Sequence, residues 1–363
     1  MVMVFAFTAF AVDVGYIALS KSQLQKSADA AALAAVIEMA DGWGAGASKT
    51  PAQVQLAACV AARDVAGANE AGGLKQTYLN PVRDIRLGQL TWNATTQTWE
   101  KHWGQSPYNL VEATVHRDQS GSSNGDGPLD LFFAPVIGSK HANVQAVSTS
   151  AMLPGVGLRR TSGLNIGILP YALDVETWDA MLSGVGSDNY HYNTATGEIT
   201  SKADGILEVD LYPYGPQELS PGNRGTVNIG RLNNSMKEIA RQILYGLNEE
   251  DLEPYGGEFR FDDLPMMLNG NTGLSAGVKD ELESIKGQPR LIPLFSDVSG
   301  PGNNAWYTIE RFVPIRILYV QLTGKPASKR VVVQPAPYVS ATVIPGKTEI
   351  VADSIFAPAG LIP

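Results

Sequence analysis

The chain is poor in the residues on which most site chemistry depends. Its 363 residues include one cysteine, Cys59, and four histidines, His102, His116, His141 and His191. A single cysteine excludes an intrachain disulfide framework, and Cys59 lies in the alanine-rich run LAACVAA, where a small packing residue is expected. The histidines are far apart, without the His-x-x-x-His or His-Glu pairing that points to zinc. No Walker loop and no Cys-x-x-Cys-His motif is present, so neither nucleotide binding nor covalent haem has support. Basic clusters are missing too, and 27 Lys and Arg against 36 Asp and Glu leave a net charge of −9. That balance argues against a nucleic-acid binder, whose affinity rests on neutralised phosphates. No catalytic constellation emerges, so an enzyme is not expected and no cofactor is called for.

The first forty residues are unusual for a different lack. They contain no proline and one glycine, Gly15, and the first 12 carry no charge. The only carboxylate before Lys21 is Asp13. A continuous helix of about 40 residues would be about 60 Å long, and its oily front half must lie in lipid or against protein. Farther on, Leu24, Ala28, Ala31 and Ala35 recur at helical spacing as a narrow stripe of small side chains. Such a stripe lets another helix approach closely, or packs on the chain's own sheet. Asp41-Gly42 supplies the stop.

Three segments, Ala11-Val12-Asp13-Val14-Gly15-Tyr16, then Leu24-Gln25, then Ser27-Ala28-Asp29-Ala30-Ala31-Ala32-Leu33-Ala34-Ala35, resemble the N-terminal signature of the TadE/TadG-like family. Those are pseudopilin-like proteins of tight-adherence (Flp) pilus systems. The stretches Gly222-Asn223-Arg224-Gly225 and Asn271-Thr272-Gly273 resemble large TadG-like proteins more weakly. The basic-basic-Gly motif that usually precedes the family's apolar helix is missing, which fits a processed or truncated start. The resemblance implies partnership with the Tad secretion-assembly machinery and with further copies of the chain. It also implies passage through the cytoplasmic membrane, with the membrane as a partner before assembly, and a place at the cell surface or in an extracellular filament. By analogy with pilins, whose helix carries an acid that pairs with a neighbour's N-terminal amine, Asp13 could set register between subunits. Position 5 here is Phe5, and Asp13 lies roughly 18 Å along the helix from Met1, so such pairing needs an axial offset. The other reading is a hydrated carboxylate at a membrane boundary. Phe5, Asp13, Gly15 and Ile17, with the stripe Leu24, Ala28, Ala31 and Ala35, are the candidate assembly residues.

The rest of the chain reads as α+β. Thr50 and Pro51 open a second helix. Ile85–Leu90 and Thr98–Trp103 read as a hairpin, and 109–116 and 143–152 alternate as further strands. The predicted fold is a hydrophobic spine helix (1–41) and a pilin-like module with an antiparallel sheet (42–155). A second β-rich α+β domain (156–334) and a proline-rich extended tail (335–363) follow. The tail is expected to wrap its own domain or add an edge strand to a neighbouring subunit. In the loop 118–127, Asp118, Asn124 and Asp126 offer a candidate calcium site, against the plainer reading of a flexible turn. Two functions fit best: a structural subunit of a pilus-like filament with bundled N-terminal helices, or a membrane-anchored TadG-like assembly factor or adhesin in low copy. A hidden hydrolase in 156–330 is a third reading with no motif behind it.

Overall fold

The computed structural model describes residues 2–161, 163–211, 225–230, 235–270, 276–300, 304–325 and 328–363. The stretches Gly222-Asn223-Arg224 and Asn271-Thr272-Gly273, and the side chain of Phe5, lie outside the described residues. The architecture is mixed α+β in two compact units. One comprises Met1–Gly42, Lys49–Leu153 and Pro358–Pro363, and the other Trp43–Ser48 with Pro154–Ala357. The spine helix and the module after it thus share one unit, and the tail divides between the two.

The first unit is built on α1 (Val2–Ile37), a single helix of 36 residues. It packs against a second helix, α2 (Pro51–Gly67), and against one face of an antiparallel sheet. Thr50 caps α2 in a reciprocal box: its hydroxyl accepts from the Gln53 N–H, and the Gln53 side chain accepts from the Thr50 N–H at 2.8 Å. After a single helical turn, α3 (Pro81–Asp84), the chain enters the sheet. Its strands are β1 (Ile85–Asn93), β2 (Thr98–Trp103), β3 (Leu110–Arg117) and β6 (Val144–Ala151), with a short ribbon, β4 (Leu129–Asp130) and β5 (His141–Ala142), between the last two. The sheet order is Gly360–Ile362, β6, β3, β1, β2. Asn109 staples one end: its side chain accepts from the Leu90 N–H at 2.7 Å and donates to the carbonyls of Leu90 and Met152.

The stripe read from periodicity is internal. Leu24, Ala28, Ala31 and Ala35 are all fully buried, in a helix packed on α2, whose Val54, Ala58, Ala62 and Ala66 are buried too, and on β3 and β6, with buried Val111, Ala113, Val115 and Ala146. Alanine on both helices permits this close approach. It also means that the stripe expected as an assembly face serves the chain's own core. Gln25 ties α1 to the sheet by donating to the Val147 carbonyl at 2.9 Å, and Lys21 donates to that of Gln145.

The second unit centres on a sheet in which the 17-residue strand Ala305–Gln321 pairs with Pro289–Ser299, Arg330–Pro335 and Met266–Gly270. From the sequence, Trp306–Phe312 and Ile315–Leu322 read as two separate strands on either side of Pro314. One forms instead, because the ladder with Arg330–Pro335 begins only at Ile315, so the proline interrupts no pairing on that side. Two apolar clusters fill this unit, one around Trp178, Ile243 and Ile317, the other around Leu158, Phe259 and Tyr307. Residues 43–48 thread into it: Trp43 packs on Phe356 at 5.4 Å, and a Cβ on Gly46 would come within 2.5 Å of the Pro335 backbone. The tail neither hangs free nor needs a neighbour. Val343–Pro345 pairs with Gly155–Arg159 in the second unit, and Gly360–Ile362 pairs with β6 in the first.

Burial sets the expected cost of substitutions in α1. Leu24→Ala should destabilise the first unit by about 2–5 kcal/mol through cavity formation, and Ala31→Leu by about 1–3 kcal/mol through overpacking. Leu56→Ala, on the exposed side of α2, should stay within about 0.5 kcal/mol. Urea unfolding of the three variants checks the ranking.

Candidate assembly surface on the first helix

The buried face of α1 does not stop at Leu24. It continues toward the N-terminus through buried Ser20, half-buried Ile17 and Tyr16, and Asp13, which is only 3 % exposed. The spacing of three and four residues keeps these on one side of the helix. The opposite sides show Phe10 (64 % exposed), Val12, Val14 and Leu19, with Gly15 also exposed. The helix front is therefore inverted relative to an ordinary surface helix, with its carboxylate turned in and its apolar side chains turned out.

The loop between β4 and β5 accounts for the inward carboxylate. It carries a single turn of 3-10 helix, Ala134–Ile137, whose own preceding residue provides no side-chain cap. Asp13 fills that role from 119 residues away. Its Oδ1 accepts the Phe132 N–H at 2.8 Å, and its Oδ2 accepts those of Phe133 at 3.0 Å and Ala134 at 2.7 Å. Three converging backbone N–H groups at the start of a helical turn form a good seat for an anion. Tyr16, one turn along, meets the Phe132 ring edge-on at 5.1 Å. Burial raises the Asp13 carboxyl, but the N–H groups of Phe132, Ala134 and Phe133 outweigh it and hold the group below its ordinary value of 3.8. Asp13 is thus neither presented to a neighbour's amine nor hydrated, the two alternatives the sequence left open.

These features lie within a segment that a family model recognises. Residues 1–47 match the family described as "Putative Flp pilus-assembly TadE/G-like". No curated protein and no solved structure matches the chain. The matched segment covers α1 and the turn after it, and links that part of the chain to Flp pilus assembly. One expectation does not find support: among the described residues no helix is long and apolar enough to cross a membrane.

Beyond the TadE/G-like segment, the loop expected as a candidate calcium site is held by protein partners. Asp126, nearly fully buried, accepts from Arg83 at 2.8 Å and from the Ser122 hydroxyl. Burial raises its carboxyl, and Ser122 and Arg83 more than offset that and leave it below its ordinary value. Asp118 pairs with His116 at 2.9 Å, while Asn124 is exposed at the tip. Arg83 also pairs with buried Asp84, so one guanidinium serves two buried carboxylates. Among the described residues no group of three or more His, Cys, Asp or Glu side chains is placed to hold a metal ion. Gly121-x-Ser123-x-Gly125 has nucleophile-elbow spacing, yet it sits in this exposed turn rather than between a strand and a helix. Cys59 is half-buried on α2, and burial pushes its thiol up, away from reactive thiolate character.

Sequence reasoning did not single out Phe132, Phe133, Val136, Ile137 or Arg83. For the first four a signal exists, a short uncharged run, LFFAPVIG, inside a stretch otherwise rich in turns. Arg83 gives no local hint, since its partner Asp126 lies 43 residues on.

Two outcomes follow from this geometry. Asp13→Asn should raise hydrogen exchange at the Phe132, Phe133 and Ala134 amides about tenfold or more, because one acceptor oxygen cannot serve three donors. Because the Asp13 pKa is lowered on folding, its contribution is complete above 3.8 and is lost as pH falls through the lower folded value. Protection of those amides, relative to the intrinsic exchange rate at each pH, should therefore fall in strong acid in the native chain and change little in the Asn variant. Arg83→Ala should lower stability by roughly 1–3 kcal/mol by stranding two buried carboxylates, and added calcium should leave the melting temperature of the native chain unchanged.

Proposed function

We propose that the chain is a low-copy, non-enzymatic component of Flp pilus assembly, held at a membrane surface by the apolar front of α1. The observation that carries this reading is the inward Asp13 beside outward Phe10, Val12, Val14 and Leu19. A helix front whose single charge is met by backbone N–H groups, with apolar side chains on its free sides, is suited to an apolar surrounding. Burial in a bundle of identical helices asks for more: the front of α1 must be open to neighbours on all its sides. Here the side at Asp13 and Tyr16 is taken by Phe132–Ala134 of the same chain, so Asp13 is not left over to set subunit register. Insertion from one side of a bilayer needs no full span.

The filament reading stays as the second one, favoured by a different observation. The rear half of α1 lies under the sheet while its apolar front projects, which is also how a bundled spine would be carried. Electron microscopy of the native protein purified without detergent separates the two. Dispersed particles that need detergent or lipid are expected. Long fibres with α1 bundled at their core would overturn the membrane-held reading in favour of a filament subunit.

A further inference from the structure

The exposed side chains around Asp13 come from two elements. Beside the helix front, the turn after β4 shows Phe132 (63 % exposed), Phe133, Val136 (89 %) and Ile137 (78 %) to the outside. Four large apolar side chains on one short turn are costly in water, and nothing in the first unit covers them. The turn is not a loose tip. Asp13 holds its entry by three hydrogen bonds, and Leu131 donates to the Lys140 carbonyl at 3.0 Å across its base. The Tyr16–Phe132 contact adds an aromatic brace to α1. The apolar turn is thereby fixed to the helix at the level of residues 13–16, continuous with its apolar front.

Backbone chemistry says what kind of surrounding this turn suits. Irregular backbone cannot enter a lipid layer while its N–H groups lack partners. In this turn they are matched within the chain. Three go to Asp13, Val136 donates to Phe133, Gly138 to Pro135 and Ser139 to Ala134, each of the last three at 3.1 Å, and Pro135 has no N–H to satisfy. No charged side chain occurs from Leu131 to Ser139; exposed Lys140 follows the run, and exposed Asp130, paired with His141 at 2.9 Å, precedes it. Saturated N–H groups and bulky apolar tips on an uncharged turn are the features of a segment that enters the headgroup and upper acyl region of a bilayer.

We infer that the turn Phe132–Ile137 is a second lipid contact, entering the bilayer surface beside the front of α1 and held there by Asp13. One contact would let the helix tilt and rotate freely; two contacts joined by a buried carboxylate fix which side of the first unit faces the lipid. The inference rests on the membrane-held reading above and adds the surface that orients the protein.

Flotation of the full chain with vesicles of phosphatidylcholine and phosphatidylglycerol tests it. The native chain is compared with the double variant Val136→Asp/Ile137→Asp, whose changes lie on exposed positions that the fold does not use. A second variant, Val136→Trp, reports depth through quenching by brominated lipids. The expected result is vesicle binding by the native chain, at least about tenfold weaker binding by the double variant, and quenching at position 136 by bromines near the headgroups. Native chain that stays off vesicles would overturn the membrane-held reading and this inference with it. Equal flotation of native chain and double variant, with an unquenched tryptophan, would overturn the inference alone. If the double variant bound vesicles normally but lost self-association in sedimentation, the turn would be a contact between copies, and the lipid assignment would fall.

Discussion

The first unit depends on a constraint at one face of one helix: whatever lies against α1 must come close. Alanine at positions 28, 31 and 35, met by alanines at 58, 62 and 66 of α2, removes the bulk that would keep helix and helix apart. The same face then runs on past Leu24 and Ser20 to Asp13, where a small side chain gives way to a charged one. A carboxylate tolerates such a place only when donors meet it, and the turn after β4 brings three. Packing along the rear of the helix and hydrogen bonding at its front are thus consecutive stretches of a single contact line.

How much of this could be read from residues alone follows from distance along the chain. The length of α1, the Thr50 cap and the β1–β2 hairpin rest on signals three to a dozen residues apart, and each was legible. The small-residue stripe was legible as a stripe but not in its destination, because alanine spacing is the same whether the partner is another copy or the chain's own α2. Asp13 was singled out for its isolation, yet its donors lie 119 to 121 residues away, beyond the reach of any local pattern. The loop 118–127 stayed open between a calcium site and a plain turn for a related reason. Its composition suits calcium, and only the fold reveals that Arg83 is already there. In the second unit Pro314 suggested a break in a strand, whereas register decides whether a missing N–H matters.

The chemistry that is present also bears on the kind of protein this is. The buried carboxylates of the first unit are each satisfied by donors of the same chain: backbone N–H groups at Asp13, backbone and Arg83 at Asp84, and the Arg83 and Ser122 side chains at Asp126. Their common effect is to hold loops rigidly against helices and strands, which suits a protein whose work is done by surfaces.

The strand Gly360–Ile362 has a consequence for how the molecule is made. It lies along β6, whose residues it meets more than 200 positions earlier in the chain, at Ser150 and its neighbours. Until that strand arrives, β6 exposes an unpaired edge of the kind that recruits foreign strands. All of residues 154–357 must be synthesised before the edge can close. Maturation of the first unit is therefore timed by the length of the second, and a chaperone or a translocation pore that shields β6 in that interval would act as part of the folding path.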